Sequence, residues 1–189
     1  MELSEAIRGR RAVRTYTAKP VDKADIDVLI EAAIQAPSAM NEQPWVFHVI
    51  SDQALLTEVS NHAKRHLLQS TPLGAASHHF EAMLADESFH IFYHAPVVIL
   101  ICAAAQGPWT TINCSLAAQN LMLAAHERGL GSCWIGFAQA WLNTPAGKAL
   151  LGIDAAELPI APIAIGHPAA ATPPVARRPA RVVWHGPVV

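Results

Sequence analysis

Charge is scarce in this chain of 189 residues. Only 15% of them are Asp, Glu, Lys or Arg, against roughly 25% in an average globular protein. The apolar share of 52% excludes an intrinsically disordered chain, which buries too little surface to offset the entropy of ordering. Long apolar runs are missing as well. The longest, Ala95–Ala105, has eleven residues, short of the ~18 that a membrane-spanning helix needs, so a buried strand is expected there. The opening MELSEAIRGRR carries acids and no apolar run, which is not the pattern of a secretory signal; a cytoplasmic protein is the expectation. Cysteine is sparse. Cys102, Cys114 and Cys133 are odd in number and flanked by apolar residues, so they read as small buried hydrophobes and not as a disulfide framework. The common nucleotide signatures are absent too. No G-x-x-x-x-G-K-[ST] occurs, and Gly129-Leu130-Gly131 continues as Ser132-Cys133-Trp134, without the third glycine of G-x-G-x-x-G.

Two stretches lack acid altogether. The net charge of −2 argues against a general nucleic-acid coat, but its distribution is uneven. Seven of the nine arginines fall in two short segments, Arg8, Arg10, Arg11 and Arg14, then Arg177, Arg178 and Arg181. No acid lies between Glu5 and Asp22, and none follows Glu157. A guanidinium offers a rigid fork of donors matched to phosphate or carboxylate. Two such clusters make one anion site if the chain ends meet, or two solvated basic patches if they do not.

Periodicity organises the rest as helices with interspersed, non-local strands, an α+β pattern expected to form a single domain over 1–189. Helices are expected at Leu3–Arg8, from an Asp22 N-cap to about Gln35, from Ala54 to about Leu68, at Thr110–Arg128 and at Thr144–Leu151. Strands are expected at Trp45–Ile50, Pro96–Ala104, Ser132–Ile135 and Ile160–Ile165. The Thr110–Arg128 helix is apolar on nearly every face, which suits a core centre or a subunit interface, and Gly129 ends it. Residues 69–92 show no strong period. After Gly166 five of the next twenty-two residues are proline, so the segment 166–189 reads as an extended arm, strand-like at Arg181–Trp184.

Ten histidines invite a search for metal ligands. His62 and His66 share a helix face and His78-His79 follow, but no HExxH occurs and no Cys or carboxylate joins them at tight spacing; exposed or core-edge histidines are expected, and no metal. Gly131-Ser132-Cys133-Trp134 resembles the nucleophile segment of papain-like proteases. That arrangement needs a histidine ~130–150 residues downstream, and only 56 residues follow Cys133. A cysteine-dependent hydrolase using Cys133 therefore stands only as an alternative, with His167 or His185 as its base. A non-catalytic flavin-binding protein is the other alternative.

The chemistry gathers in two segments. Arg10-Arg11-Ala12-Val13-Arg14-Thr15-Tyr16 sets three guanidinium groups over five residues. Ala36-Pro37-Ser38-Ala39-Met40-Asn41-Glu42-Gln43-Pro44-Trp45 is a polar loop between a helix and a strand, suited to a heterocycle with carbonyls and ring nitrogens. With these residues in view the chain resembles the nitroreductase family of flavoproteins over nearly its whole length. RRAVRTY resembles that family's RRSVRxF opening and APSAMNEQPW its APSxxNxQPW loop. GLGSCWIGF resembles the segment beside the flavin ring, and the tail with Arg177 and Arg178 resembles its C-terminal arginine arm.

The resemblance implies a central mixed β-sheet flanked by helices. It also implies a homodimer that exchanges the C-terminal arms and binds FMN at two interface sites. Arg10, Arg11 and Ala12 would take the phosphate and nearby ribityl oxygens. Arg14 would reach the N1/C2-carbonyl side and stabilise the reduced flavin. Pro37, Ser38, Ala39, Asn41 and Gln43 would come from the partner chain. Trp134, Ile135 and Gly136 would border the ring, with the Gly136 N–H at N5, and Arg177 with Arg178 would return to the phosphate. Ala12 stands where the family has serine, so one hydroxyl contact is lost. The implied activity takes hydride from NAD(P)H and passes electrons to a small acceptor such as a nitroaromatic or quinone.

Overall fold

The computed structural model describes residues 1–70 and 78–186, the His78 and His79 side chains excepted. In order the chain forms α1 (Leu3–Gly9), α2 (Lys23–Ile34), a 3-10 turn (Ala39–Asn41), β1 (Trp45–Ile50), α3 (Gln53–Ser70) and α4 (His78–Ala85). It continues through β2 (Val97–Ala103), α5 (Thr110–Glu127), β3 (Gly131–Trp134), α6 (Gly136–Leu142), α7 (Pro145–Leu151) and β4 (Leu158–Gly166).

The strands form one sheet in the order β1-β2-β4-β3. All seven residues of β2 are buried, as a Val/Ile run between two covered faces requires, and each such side chain contributes roughly 1.5–3 kcal/mol. Alternate residues face two cores. Val97, Ile99 and Ile101 pack with Leu29 and Ala33 of α2 and Cys114 and Leu121 of α5. Val98, Leu100 and Cys102 pack with Leu56 and Val59 of α3 and Ala138 and Trp141 of α6. The α+β class is as expected, but the mixed sheet is not what forms. All three strand pairs are antiparallel, and the one parallel pairing among the described residues is the isolated Ala12–Ser132 bridge. The segment after α1 meets β3 at a single residue pair, too little to add a strand.

Other differences have local causes. Asp22 precedes α2, but its side chain makes no capping hydrogen bond. Ile112 and Leu116 of α5 are exposed, so that helix is buried on one face only. Residues 170–186 form neither helix nor strand, which includes Arg181–Trp184. Two helices lacked a sequence signal. α4 falls in the aperiodic stretch, and α6 starts at the glycine where a strand had just ended. No helix of the described residues is long and apolar enough to cross a membrane.

Candidate functional site

The segment Arg10–Tyr16 lies against β3 because two glycines leave room for it. A Cβ on Gly131 would sit 2.8 Å from three side-chain atoms of Val13, and one on Gly166 would sit 2.8 Å from the Tyr16 ring. The Val13 N–H donates to the Ser132 carbonyl at 3.0 Å. The Tyr16 hydroxyl donates to the Val13 carbonyl at 2.7 Å. Burial, with a smaller contribution from Cys133, holds the Tyr16 phenol well above its usual range and outweighs the opposing Arg14 charge, so it stays a donor.

This seating distributes the arginines over two cavities. Arg10 and Arg11 line one of about 400 Å³, with Val13, Leu130, Ser132 and the start of the arm at Pro168 and Ala170–Thr172. Arg14 lines the second, about 190 Å³, with Trp134, Ile135 and Gly136. Four residues of extended chain, roughly 13 Å, separate Arg10 from Arg14. None of Arg10, Arg11 and Arg14 is ion-paired with an acid among the described residues. Arg11 turns one amino group to the Arg8 and Arg10 carbonyls, while its buried Nε has no partner. The Gly136 N–H opens α6, where no intrahelical acceptor exists, and a Cβ there would meet nothing within 4 Å.

Of the expected residues, Arg10, Arg11, Ala12, Arg14, Trp134, Ile135 and Gly136 are thus brought together along β3. Arg177 and Arg178 are not among them. Both are exposed on the arm and line neither cavity. The loop bearing Pro37, Ser38, Ala39, Asn41 and Gln43 lies elsewhere. It is tied by its own bonds, Gln43 N–H to Ser38 Oγ at 3.0 Å and Gln43 Nε2 to Asn41 Oδ1 at 2.9 Å. The Ala39 N–H donates to Asn113 Oδ1 of α5. Met40, Asn41 and Gln43 all have positive φ, and Met40 is 90% exposed.

Strand register gives the separation. Trp134 aligns through Ile163 and Ile99 with Val49 of β1, three strand spacings away, and the loop enters β1 at Trp45. Spacings of ~4.8 Å and a rise of ~3.4 Å per residue put Trp45 roughly 20 Å from Trp134. Within one chain the loop's entry into β1 is thus held away from Trp134, and no loop residue lines either arginine cavity.

Sequence reasoning missed the walls of the second cavity, Ile91, Tyr93 and Phe137. The Arg14 guanidinium stands over the Tyr93 ring at 6.0 Å, within cation–π range. Phe137 adjoins the GLGSCWIGF glycine, a usable hint, but Tyr93 lies in a stretch with no period. Cys133 does not suit a nucleophile. Its side chain is buried, burial raises its pKa against the pull of Arg14 and Arg10, and its thiol donates to the neighbouring Trp134 carbonyl. The His62 ring stacks on Trp141 at 5.0 Å, a packing role. The His78-His79 pair lies outside the described side chains.

Comparison with known proteins gives consistent matches. The family model described as Nitroreductase family matches residues 7–167. A protein of Methanothermobacter thermautotrophicus, whose name couples NADH dehydrogenase with NAD(P)H nitroreductase, is 31% identical over 89% of this chain and 78% of its own length. An FMN reductase (NADPH) of Bacillus subtilis is 26% identical over 96% of this chain and 72% of its own. The crystal structure of a nitroreductase with bound FMN from Bacteroides fragilis superposes with a TM-score of 0.80 at 26% identity, covering 100% of this chain and 98% of that one.

Proposed function

The chain belongs to the nitroreductase family, and on that premise we propose that it is an FMN-dependent oxidoreductase drawing on NAD(P)H, its site completed by a second copy of the chain. The observation that carries the reading is the seating of Arg10–Arg14 along β3, which gives one elongated site an anionic-group end at Arg10 and Arg11 and a ring end at Arg14, Trp134 and Gly136. The residues fit the cofactor. Among the described residues three guanidinium groups there lack acid partners, one buried Nε lacks an acceptor, and the space over Gly136 is open.

When bound, FMN supplies a ring that accepts hydride from NAD(P)H and passes electrons to an acceptor such as a nitroaromatic or quinone. Arg10 and Arg11 hold the phosphate by charge-assisted bonds. Ala12 offers only its backbone where a serine would add a hydroxyl. Arg14 keeps a fixed positive charge at the ring end, so negative charge gathering there is stabilised without reorganisation. The Gly136 N–H offers a donor on the same side. Ile91, Ile135 and Phe137 give that end apolar walls, and Tyr93 steadies the Arg14 guanidinium through its ring face.

The separation of Trp134 from the loop's entry into β1 calls for two copies. Pro37, Ser38, Ala39, Asn41 and Gln43 serve a site only when they come from the partner, as do Arg177 and Arg178 on the arm. The exposed apolar surface suits such pairing: Trp109, Ile112 and Leu116 around α5, and Val175, Val182, Val183 and Trp184 on the arm. Patches of this kind on a soluble chain mark interaction sites.

The test is an absorption spectrum of the purified protein, identification of the flavin released by heat, and NAD(P)H oxidation with and without a nitroarene or quinone. Yellow protein releasing FMN and turning over is the expected result, with light scattering at twice 20.3 kDa. A colourless protein that fails to take up added FMN overturns the reading. A yellow protein without turnover would make it a binding protein instead.

A further inference from the structure

On the far side of the sheet from α5, three potential metal ligands of different chemistry meet. His48 belongs to β1, Cys102 to β2, and Glu157 precedes β4, so the three come from adjacent positions across the sheet. Cys102 pairs with Val46 and Pro159, which sets His48 two residues along β1 on the same face as Cys102. One imidazole nitrogen of His48, Cys102 Sγ and a Glu157 carboxylate oxygen all lie within 4.8 Å of one another. His48 Nε2 and Glu157 Oε2 are 2.7 Å apart. The His48 and Glu157 side chains are 22% and 15% exposed, while Cys102 is fully buried. The cluster is a cup with a sulfur floor and an imidazole–carboxylate rim open to solvent.

We propose that His48, Cys102 and Glu157, brought together by β1, β2 and the approach to β4, bind one zinc ion, with water as its fourth ligand. Tetrahedral zinc takes sulfur at ~2.3 Å and nitrogen or oxygen at ~2.0–2.2 Å, which sets ligand atoms roughly 3.3–3.8 Å apart. The cluster reaches that geometry if the His48–Glu157 pair, 2.7 Å apart, opens by roughly 0.6–1 Å and Cys102 Sγ, within 4.8 Å of both, closes on them by up to about 1.3 Å. A thiolate and an imidazole together select a borderline-soft ion over calcium or magnesium, which take oxygen ligands. The entry path is the solvent side of the rim. Binding forms Zn–S, Zn–N and Zn–O bonds while the ion sheds all but one of its bound waters; the thiol S–H breaks and its proton leaves to solvent, and the proton held between His48 Nε2 and Glu157 moves to His48 Nδ1. Lys148 and Cys114 are the other ionisable groups whose charge reaches Cys102. The Lys148 ammonium donates to the Ala155 carbonyl at 2.6 Å.

The site is separate from the arginine cavities. Cys102 aligns with Pro159 and Cys133 with Ala164, five residues apart along β4, or roughly 17 Å. Zinc at His48 would clamp the edge strand β1 to β2 and β4, three residues from Trp45, the end at which the Pro37–Gln43 loop enters.

The experiment is calorimetric titration of chelator-treated, flavin-loaded protein with zinc chloride. A parallel cobalt(II) titration is read at the long-wavelength d–d bands, clear of flavin absorption. Expected are one ion per chain, release of a proton, tetrahedral cobalt bands and a higher melting midpoint with zinc. Cys102→Ser and His48→Gln should each weaken zinc by more than the 10–100-fold that loss of an outer partner costs, and Cys102→Ser should abolish the zinc-dependent melting shift. Should the buried Cys102→Ser variant fail to fold, His48→Gln and Glu157→Gln, at partly exposed positions, carry the comparison. Absence of stoichiometric binding overturns the proposal. So does binding that survives His48→Gln and Glu157→Gln, since the ion then sits on other histidines.

Discussion

Replacing Gly131 with alanine tests how the arginine segment is held. The new Cβ would meet Val13 Cβ, Cγ1 and Cγ2 at 2.8 Å, where ordinary contact begins near 3.4 Å. Val13 must retreat by about 0.6 Å, but it is buried and its N–H is bonded to the Ser132 carbonyl. Overpacking of this size costs about 1–3 kcal/mol. Loss of glycine's unfolded-state freedom returns about 0.4–1 kcal/mol, leaving a net destabilisation between about zero and 2.6 kcal/mol. Flavin affinity should fall as well, because Arg10 and Arg14 move with Val13. The assay is a double-mutant cycle in urea, paired with FMN titration. Val13→Ala alone opens a small cavity, whereas Val13→Ala on top of Gly131→Ala makes room for the methyl. The two changes should therefore couple by about 0.5–3 kcal/mol in the relieving direction. Additive effects, or unchanged FMN affinity in Gly131→Ala, would refute the account of the segment.

Arg10→Ala should weaken FMN binding by about 1.5–3 kcal/mol, the value of a lost charge-assisted bond. Arg14→Gln should lower the flavin potential and slow reduction by NAD(P)H even with the site full; an unchanged potential removes Arg14 from the ring. Burial first, then the His94 and Lys64 charges, pushes His90 down to about 4 from an ordinary 6.5. The unfolded chain thus gains a proton before the native one, so stability is complete above about pH 6.5, declines through that window and levels off below about pH 4, by at most about 3 kcal/mol. Urea midpoints measured across pH should show this decline, and His90→Asn should flatten it. Because burial raises its pKa, Cys133 should resist iodoacetamide at neutral pH in native protein and react once unfolded; rapid native labelling contradicts the packing described.

Legibility in the sequence followed the range of the interactions. β1 and β2 could be read because Val, Ile and Phe cluster there, and α2 and α5 because their apolar spacing is helical. α6 could not, since Gly136 is a poor helix former and only packing of Ala138, Trp141 and Leu142 on the second core makes it helical. The mixed sheet failed because strand direction depends on which segments meet, and that is set by non-local contacts. At the site, the arginines and the GLGSCWIGF segment were visible as motifs. Their meeting depends on Gly131 and Gly166, whose neighbours Val13 and Tyr16 lie more than a hundred residues away. Tyr93 and the His48–Cys102–Glu157 cluster bring together residues that share no local pattern, so nothing in the one-dimensional string marks them.

The roughly 20 Å that the sheet sets between Trp134, at the ring end of the site, and Trp45, where the Pro37–Gln43 loop enters β1, makes defects in the two halves separable between alleles. Under the two-chain site, a copy damaged at Arg10 still lends an intact loop, and a copy damaged at Asn41 still lends intact arginines. In a mixed dimer both lesions fall on one site and leave the other whole. Two inactive preparations, mixed in equal amounts and allowed to exchange subunits, would then recover about a quarter of the unmutated activity, since half the dimers are mixed and each regains one of two sites. In a cell the same arithmetic is interallelic complementation, with recessive lesions in each half that rescue one another in trans.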